Sequence, residues 1–298
     1  MLSVFKKLIR WFWIRMYKGR KKMLVKIIPD SSANMRTDEN RNLISVPLKI
    51  TTDEKEYIDN NELDVKAMAD DLAAYKGKSG SACPGTGDWM AAFEGADWIF
   101  AVTITSNLSG CYNSARVAKE QYEEEHPEVK IHVIDSLSTG PEMKLIVEKL
   151  EELVAAGLDF ETICKEIDEY QKKTHLAFML KSLNNLANNG RVSHAVAKIT
   201  GVLGILLVGR ASDVGTLEPT DKCRGEKKSI ATIFKNMIAT GYAGGKVRID
   251  HCFNEEAAVK LKEMILAQFP EADVTIEPIY GLCCFYAELG GMLVGFEG

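Results

Sequence analysis

The sequence predicts an α/β protein of two domains. A parallel-sheet α/β domain spans residues 23–158, a mixed α/β domain spans 159–298, and a basic extension, 1–22, precedes both. Three observations predict this. The chain has 298 residues, which is long for one core on a prior of roughly 150 residues per domain. Apolar residues make up 46% and charged residues 27%, a balance that fits a packed chain and excludes disorder. Short apolar runs alternate with segments of helical periodicity, the pattern of parallel strands covered by helices.

VKIIPD (25–30) reads as a buried strand ending in a polar turn. Residues 63–75 read as a helix burying Leu63, Met68 and Leu72, and Pro84 and Gly85 break the chain. WIFAVTI (98–104) is a second strand, 115–125 a helix stopping before Pro127, and IHVIDS (131–136) a third strand. Residues 142–156 form a helix with Leu145, Leu150, Leu153 and Val154 inward and Gly157 as its cap. In the second half, 159–172 predicts a helix that buries Phe160, Ile163, Ile167 and Tyr170, and LAFML (176–180) a short strand. Ser182 caps a further helix that Gly190 ends. ILLVG (205–209) leads to a turn at 213–215, helices at 226–239 and 255–268 flank a strand at 246–253, and a last strand at 274–279 precedes a Gly-rich tail.

Charge and cysteine narrow the function. The net charge is −5, yet residues 1–22 carry eight Lys and Arg and no acid, which leaves −13 on the rest. Such an acidic body repels nucleic acid. The extension places Phe5, Leu8, Ile9, Phe12 and Met16 at helical spacing among cations. It holds no apolar stretch of ~18 residues and so does not span a bilayer. It reads either as a helix lying on an anionic membrane surface or as sequence upstream of a start at Met23. The seven cysteines have no zinc spacing and read as buried thiols of a cytoplasmic protein, with Cys283 and Cys284 on opposite faces of a strand. No metal and no cofactor is expected.

Ligands of parallel α/β sheets bind beyond the carboxyl ends of strands. The segments there are Asp30-Ser31-Ser32-Ala33, Thr105 to Gly110, and Asp135 to Gly140, joined by Ser79 to Pro84. Four loops rich in small hydroxyl residues converge on one rim, and hydroxyls with helix-start N–H groups suit a carboxylate or phosphate. No Walker loop, no GxGxxG and no GxSxG elbow is present. A hydrolase with Ser106 or Ser109 as nucleophile and His251 as base is a competing reading, though no orienting acid is identifiable.

Together these loops resemble the DegV family. Asp30 to Ala33 is similar to its Asp-Ser-Thr/Ser-Ala start, and Ser79 to Pro84 to its Thr-Ser-Gln-Pro-Ser-Pro loop. TSNLSGCYNSA (105–115) is similar to Ser-Ser-x-Leu-Ser-Gly-Thr-Tyr-x-Ser-Ala. Ile134 to Gly140, LANNGRVS (186–193) and the Leu-Gly to Arg-Gly order over 203–225 complete the series. The resemblance implies a long-chain fatty acid in a buried pocket. Its carboxylate would be held by Ser79, Ser81, Ser106, Asn107 and Ser109, with Arg191 and Tyr286 near the head group. Tyr286 stands where the family carries a histidine. It further implies a carrier rather than an enzyme, which delivers the carboxylate to an ATP-dependent fatty acid kinase subunit docking near Arg224. A membrane-surface lipid carrier without kinase coupling is the alternative.

Overall fold

The computed structural model describes residues 23–200 and 204–298. The first half runs β1 (Val25–Pro29), β2 (Lys49–Thr52), β3 (Glu56–Ile58), α1 (Val65–Ala74), β4 (Ser79–Ala82), α2 (Thr86–Phe93), β5 (Trp98–Thr103), α3 (Cys111–Glu125), β6 (Lys130–Asp135), α4 (Pro141–Ala155) and α5 (Phe160–Gln171). The second half runs β7 (Thr174–Leu180), α6 (Asn184–Asn188), α7 (His194–Thr200), β8 (Ile205–Ala211), β9 (Leu217–Arg224), α8 (Glu226–Ala239), β10 (Val247–His251), α9 (Glu255–Gln268), β11 (Val274–Pro278), α10 (Gly281–Ala287) and β12 (Met292–Glu297).

β1, β5 and β6 form a parallel sheet in the order β1-β5-β6. Their apolar runs are buried because helices cover the sheet. The second sheet is mixed, in the order β11-β10-β12-β7-β8-β9. Only β10 and β11 pair in parallel there. The expected fold class, a parallel sheet followed by a mixed one, is therefore what the chain adopts.

α4 joins the two sheets. Residues 141–147 are all buried, including Glu142 and Lys144. Its charged residues then meet β10 in register. Lys144 bonds Asp250 at 3.1 Å, Glu148 bonds Arg248 at 2.8 Å, and Glu152 bonds Lys246. Four residues of helix advance roughly 6 Å and two residues of strand roughly 6.7 Å, so the two series stay matched over three pairs. α5, placed with the second half from sequence, packs on the first sheet. Phe160 stacks on Phe100 at 5.1 Å, and Ile163 and Ile167 enter the same apolar cluster.

Four expectations are corrected. A small antiparallel sheet, β3-β2-β4, holds the Ser79–Ala82 stretch that reads as loop. Its side chains are small and polar, so periodicity does not reveal it. The tail after 279 is not irregular: it forms α10 and then β12, a central strand of the second sheet. Gly295 is required in β12 because a Cβ there would lie 2.4 Å from the Pro141 carbonyl carbon of α4. Cys283 and Cys284 consequently sit on a helix rather than a strand. Finally, Cys83 is exposed, while all seven cysteines are free thiols. Residues 1–22, and with them the membrane-surface reading, lie outside the described residues. Among the described residues no helix is long and apolar enough to cross a membrane.

Candidate functional site

The hydroxyl loops do converge, and mostly onto one another. Asp30 accepts from the Ile104 N–H at 2.8 Å and the Ser32 N–H at 3.0 Å, which ties the loop after β1 to the loop after β5. Complete burial pushes its carboxyl up to about 6. Asp135 accepts from the Ser106 and Leu137 N–H groups at 3.1 and 3.2 Å. The Thr105 N–H donates to the Ser138 carbonyl at 2.9 Å. The result is a rigid rim.

Beside this rim lies a slender pocket. Leu48, Ile104, Phe178, Leu180, Leu282 and Leu293 supply its walls. It leaves about 60 Å³ for the centres of water molecules, a slit rather than a chamber. Its polar groups are Ser81, Ser109, Arg191 and Tyr286, together with Thr139 and Cys283. The Ser81 and Tyr286 hydroxyls bond at 2.7 Å, linking β4 to α10. The Arg191 guanidinium stands 5.8 Å from the Tyr286 ring centre. It donates to the carbonyls of Leu108 and Asn189 at 3.2 and 2.5 Å. Among the described residues it forms no ion pair with a carboxylate.

Three expected ligands lie elsewhere. The Ser106 side chain is exposed, and its backbone N–H serves Asp135. Asn107 donates to the Val214 carbonyl at 2.6 Å, fastening the β8–β9 turn. Ser79 offers its carbonyl to Asn189 at 3.2 Å, and its side chain is not in the pocket wall. Ser79 and Ser81 share a face of β4, being two residues apart, and it is Ser81 whose hydroxyl meets Tyr286. The hydrolase reading finds no relay. Among the described residues no histidine lines the pocket, and the Ser109 hydroxyl donates to the Cys111 sulfur at 3.2 Å. His251 is buried, accepts from the Asn254 N–H at 3.2 Å, and is held below its usual range by desolvation.

Sequence reasoning missed Asp59. Its two carboxylate oxygens accept from the Gly281 and Leu282 N–H groups, each at 2.9 Å. It thereby caps α10, the helix that carries Cys283 and Tyr286. Desolvation raises its carboxyl above the ordinary value. The cap is 222 residues distant in sequence, so no local pattern reveals it. Among the described residues, no group of three or more His, Cys, Asp or Glu is arranged to hold a metal ion.

A second and larger cleft, about 730 Å³, opens at the other end of β7. Its lining carries Asp135, Glu142, Asp168, Asp213 and Asp221. That wall would repel a carboxylate, so the slender pocket is the candidate site for an acid with an apolar tail.

A family model described as "Uncharacterised protein, DegV family" matches residues 24–297. A DegV domain-containing protein of Streptococcus pneumoniae is 46% identical over 279 residues, covering 92% of this chain and 99% of the relative. Two solved structures are equally similar. A DegV family protein of Eubacterium eligens loaded with heptadecanoic acid has a TM-score of 0.89 at 45% identity, covering 92% of this chain and 99% of its own. The Streptococcus pneumoniae fatty acid kinase B3 protein loaded with linoleic acid has a TM-score of 0.90 at 46% identity, with the same coverage.

Proposed function

The chain belongs to the DegV family, and from that premise we propose that it carries a long-chain fatty acid and presents the carboxylate to an ATP-dependent kinase subunit. One observation carries the reading. An arginine without an acidic partner among the described residues lines an apolar slit together with the Ser81, Ser109 and Tyr286 hydroxyls. Burying a lone carboxylate costs several kcal/mol unless it is paired and hydrogen-bonded, and this set of donors supplies the pairing. A tail of ~14 methylenes gains on the order of 10 kcal/mol on burial, part of which the ordering of the chain offsets.

In the proposed transfer, a carboxylate oxygen attacks the γ-phosphorus of ATP on the partner. The bond to ADP breaks and an acyl phosphate forms. This chain contributes no nucleophile of its own; Arg191 and the hydroxyls orient the attacking oxygen. Docking is assigned to the exposed strip at the end of β9 and the start of α8. Lys222, Arg224, Lys227 and Lys228 are exposed there on a body that is otherwise acidic. Charge of that kind steers an acidic partner.

Denaturing extraction of the purified protein followed by mass spectrometry tests the carrier. A fatty acid near one per chain is expected, and a protein that neither retains nor takes up an acyl ligand overturns the reading. Arg224→Ala then separates carrier from donor. Lipid content is expected to persist while partner-dependent phosphorylation falls.

A further inference from the structure

Two sulfurs touch behind the slit. Cys252, directly after β10, and Cys284, in the middle of α10, stand 3.2 Å apart, sulfur to sulfur. Both are free and buried. Neither lines the slit, and the proposed carrier function uses neither. A disulfide is about 2.05 Å long, so the two atoms need to close by only about 1 Å to bond.

The loop that carries Cys252 is held under strain. Phe253 follows with a φ of +51°, a left-handed conformation that is costly for an aromatic residue. Its ring is 49% exposed, so solvent begins one residue from the dithiol. The Cys252 N–H donates to the Gly291 carbonyl at 2.9 Å, and its own carbonyl accepts from the Gly290 N–H at 2.8 Å. Local opening of those two bonds gives a small oxidant a short path to the sulfurs.

Position gives the pair its consequence. α10 walls the slit through Leu282, Cys283, Tyr286 and Ala287. The slit leaves about 60 Å³, well under the roughly 300–1,000 Å³ of ligand sites, so a wall moves when an acyl chain enters or leaves. α10 is held by reversible contacts, the Asp59 cap and the Tyr286–Ser81 hydrogen bond among them. A covalent bond from its centre to the end of β10 fixes it to the second sheet.

We propose that Cys252 and Cys284 form a redox switch, in which hydrogen peroxide joins them in a disulfide that clamps α10 and slows acyl exchange. The bridge stands on the geometry; its effect on acyl exchange rests on the carrier reading. The hydrogen bond to Cys252, and then burial, hold the Cys284 thiol above its usual range, so Cys252 is the attacking sulfur. It attacks one peroxide oxygen, the O–O bond breaks, and a sulfenic acid and one water form. The Cys284 sulfur then attacks the Cys252 sulfur, the S–O bond breaks, and a second water leaves with the Cys284 proton. Two thiols have lost two electrons and two protons, and the peroxide has become two waters. A dithiol reductant reverses the bridge by exchange.

The exposed Cys83 competes for peroxide, so the test uses the full chain with Cys83→Ser. Loaded with a fluorescent fatty acid, it is treated with hydrogen peroxide, alkylated and digested for mass spectrometry. A Cys252–Cys284 cross-linked peptide that dithiothreitol releases is expected, with several-fold slower release of the fluorescent fatty acid from the oxidised protein. Adding Cys252→Ser is expected to abolish both, and Cys284→Ala serves where that variant does not fold. Full alkylation of both thiols after peroxide, a bridge to Cys283 instead, or a bridged protein that releases its ligand at the reduced rate overturns the proposal. A chain that takes up no fluorescent fatty acid overturns the carrier reading instead. The clamp is then judged by hydrogen exchange of the α10 amides, which is expected to slow in the bridged form; unchanged exchange sinks it.

Discussion

The two ends of β7 make opposite electrostatic choices within one strand. Toward Leu180 the strand walls a slit that is lined by a cation, Arg191, with no acid paired to it among the described residues. Toward Thr174 it lines a wider cleft with a buried acid, Glu142, that has no cation paired to it among the described residues. Farther along the same helix a buried charge is paired. Lys144, in the same helix as Glu142 and two residues on, has both Asp250 and Glu277 at 3.1 and 2.8 Å. α4 thus pairs its charges where it crosses β10 and leaves Glu142, among the described residues, without a cation where the cleft opens.

Removing Arg191 breaks the comparison at its strongest point. Arg191→Ala leaves only hydroxyls for a carboxylate, and a lost hydrogen bond to a charged group costs about 2–3 kcal/mol, on the order of a hundredfold in affinity. The fatty acid recovered per chain, measured by mass spectrometry, is expected to collapse. Retention of a full complement would show that the slit does not hold its ligand by this end.

Glu142 sharpens the other end through pH. Burial pushes its carboxyl from 4.5 to about 7. The folded chain therefore holds this proton more tightly than the unfolded chain. The resulting stabilisation is complete below the ordinary carboxyl range and is lost as pH rises through about 7. Glu142→Gln carries no such dependence. It is expected to match the wild type near pH 4 and to exceed it at pH 8 by up to about 3 kcal/mol. Urea unfolding at several pH values reads the difference, and a gap that stays constant with pH refutes it.

The third test concerns how the slit is built. Asp59→Ala removes the cap of α10 and is expected to cost about 1–2 kcal/mol in urea unfolding. Acyl retention is expected to fall too, because α10 positions Tyr286 and Cys283. A smaller loss is expected of Tyr286→Phe, which deletes one hydroxyl bond worth about 1 kcal/mol and keeps the ring beneath Arg191. Its readout is a few-fold faster release of a fluorescent fatty acid, with the unfolding midpoint unchanged.

Legibility in the sequence followed the same division. Continuous apolar runs such as 98–103 and periodic helices such as 141–155 were readable because burial on both faces or one stripe leaves a local pattern. β12 was not, since its Gly295 is set by the backbone of Pro141 and Glu142 far away in sequence. β2, β3 and β4 were hidden by short length and polar composition. In the site, Ser81, Ser109, Arg191 and Tyr286 were named from the motifs and lie together in one wall. Asp59 and the polar cleft left no local trace. They are made by contacts between segments that only the tertiary fold brings together.

Ser106 gives the smallest expected effect and the most discriminating one. The loop 105–110 was read as a set of hydroxyls aimed at a ligand, yet its members do different work. Ser109 faces the slit, Asn107 fastens the β8–β9 turn, and Ser106 points its hydroxyl to solvent while its N–H is held by Asp135. An exposed side chain with no internal bond to lose changes stability by about 0.5 kcal/mol or less, and alanine keeps the backbone N–H. Ser106→Ala is therefore expected to retain its full acyl content, whereas Ser109→Ala loses part of it. If Ser106→Ala empties the protein, the carboxylate lies outside the slit against the loop after β5, and the acyl chain enters from the opposite side of Leu108.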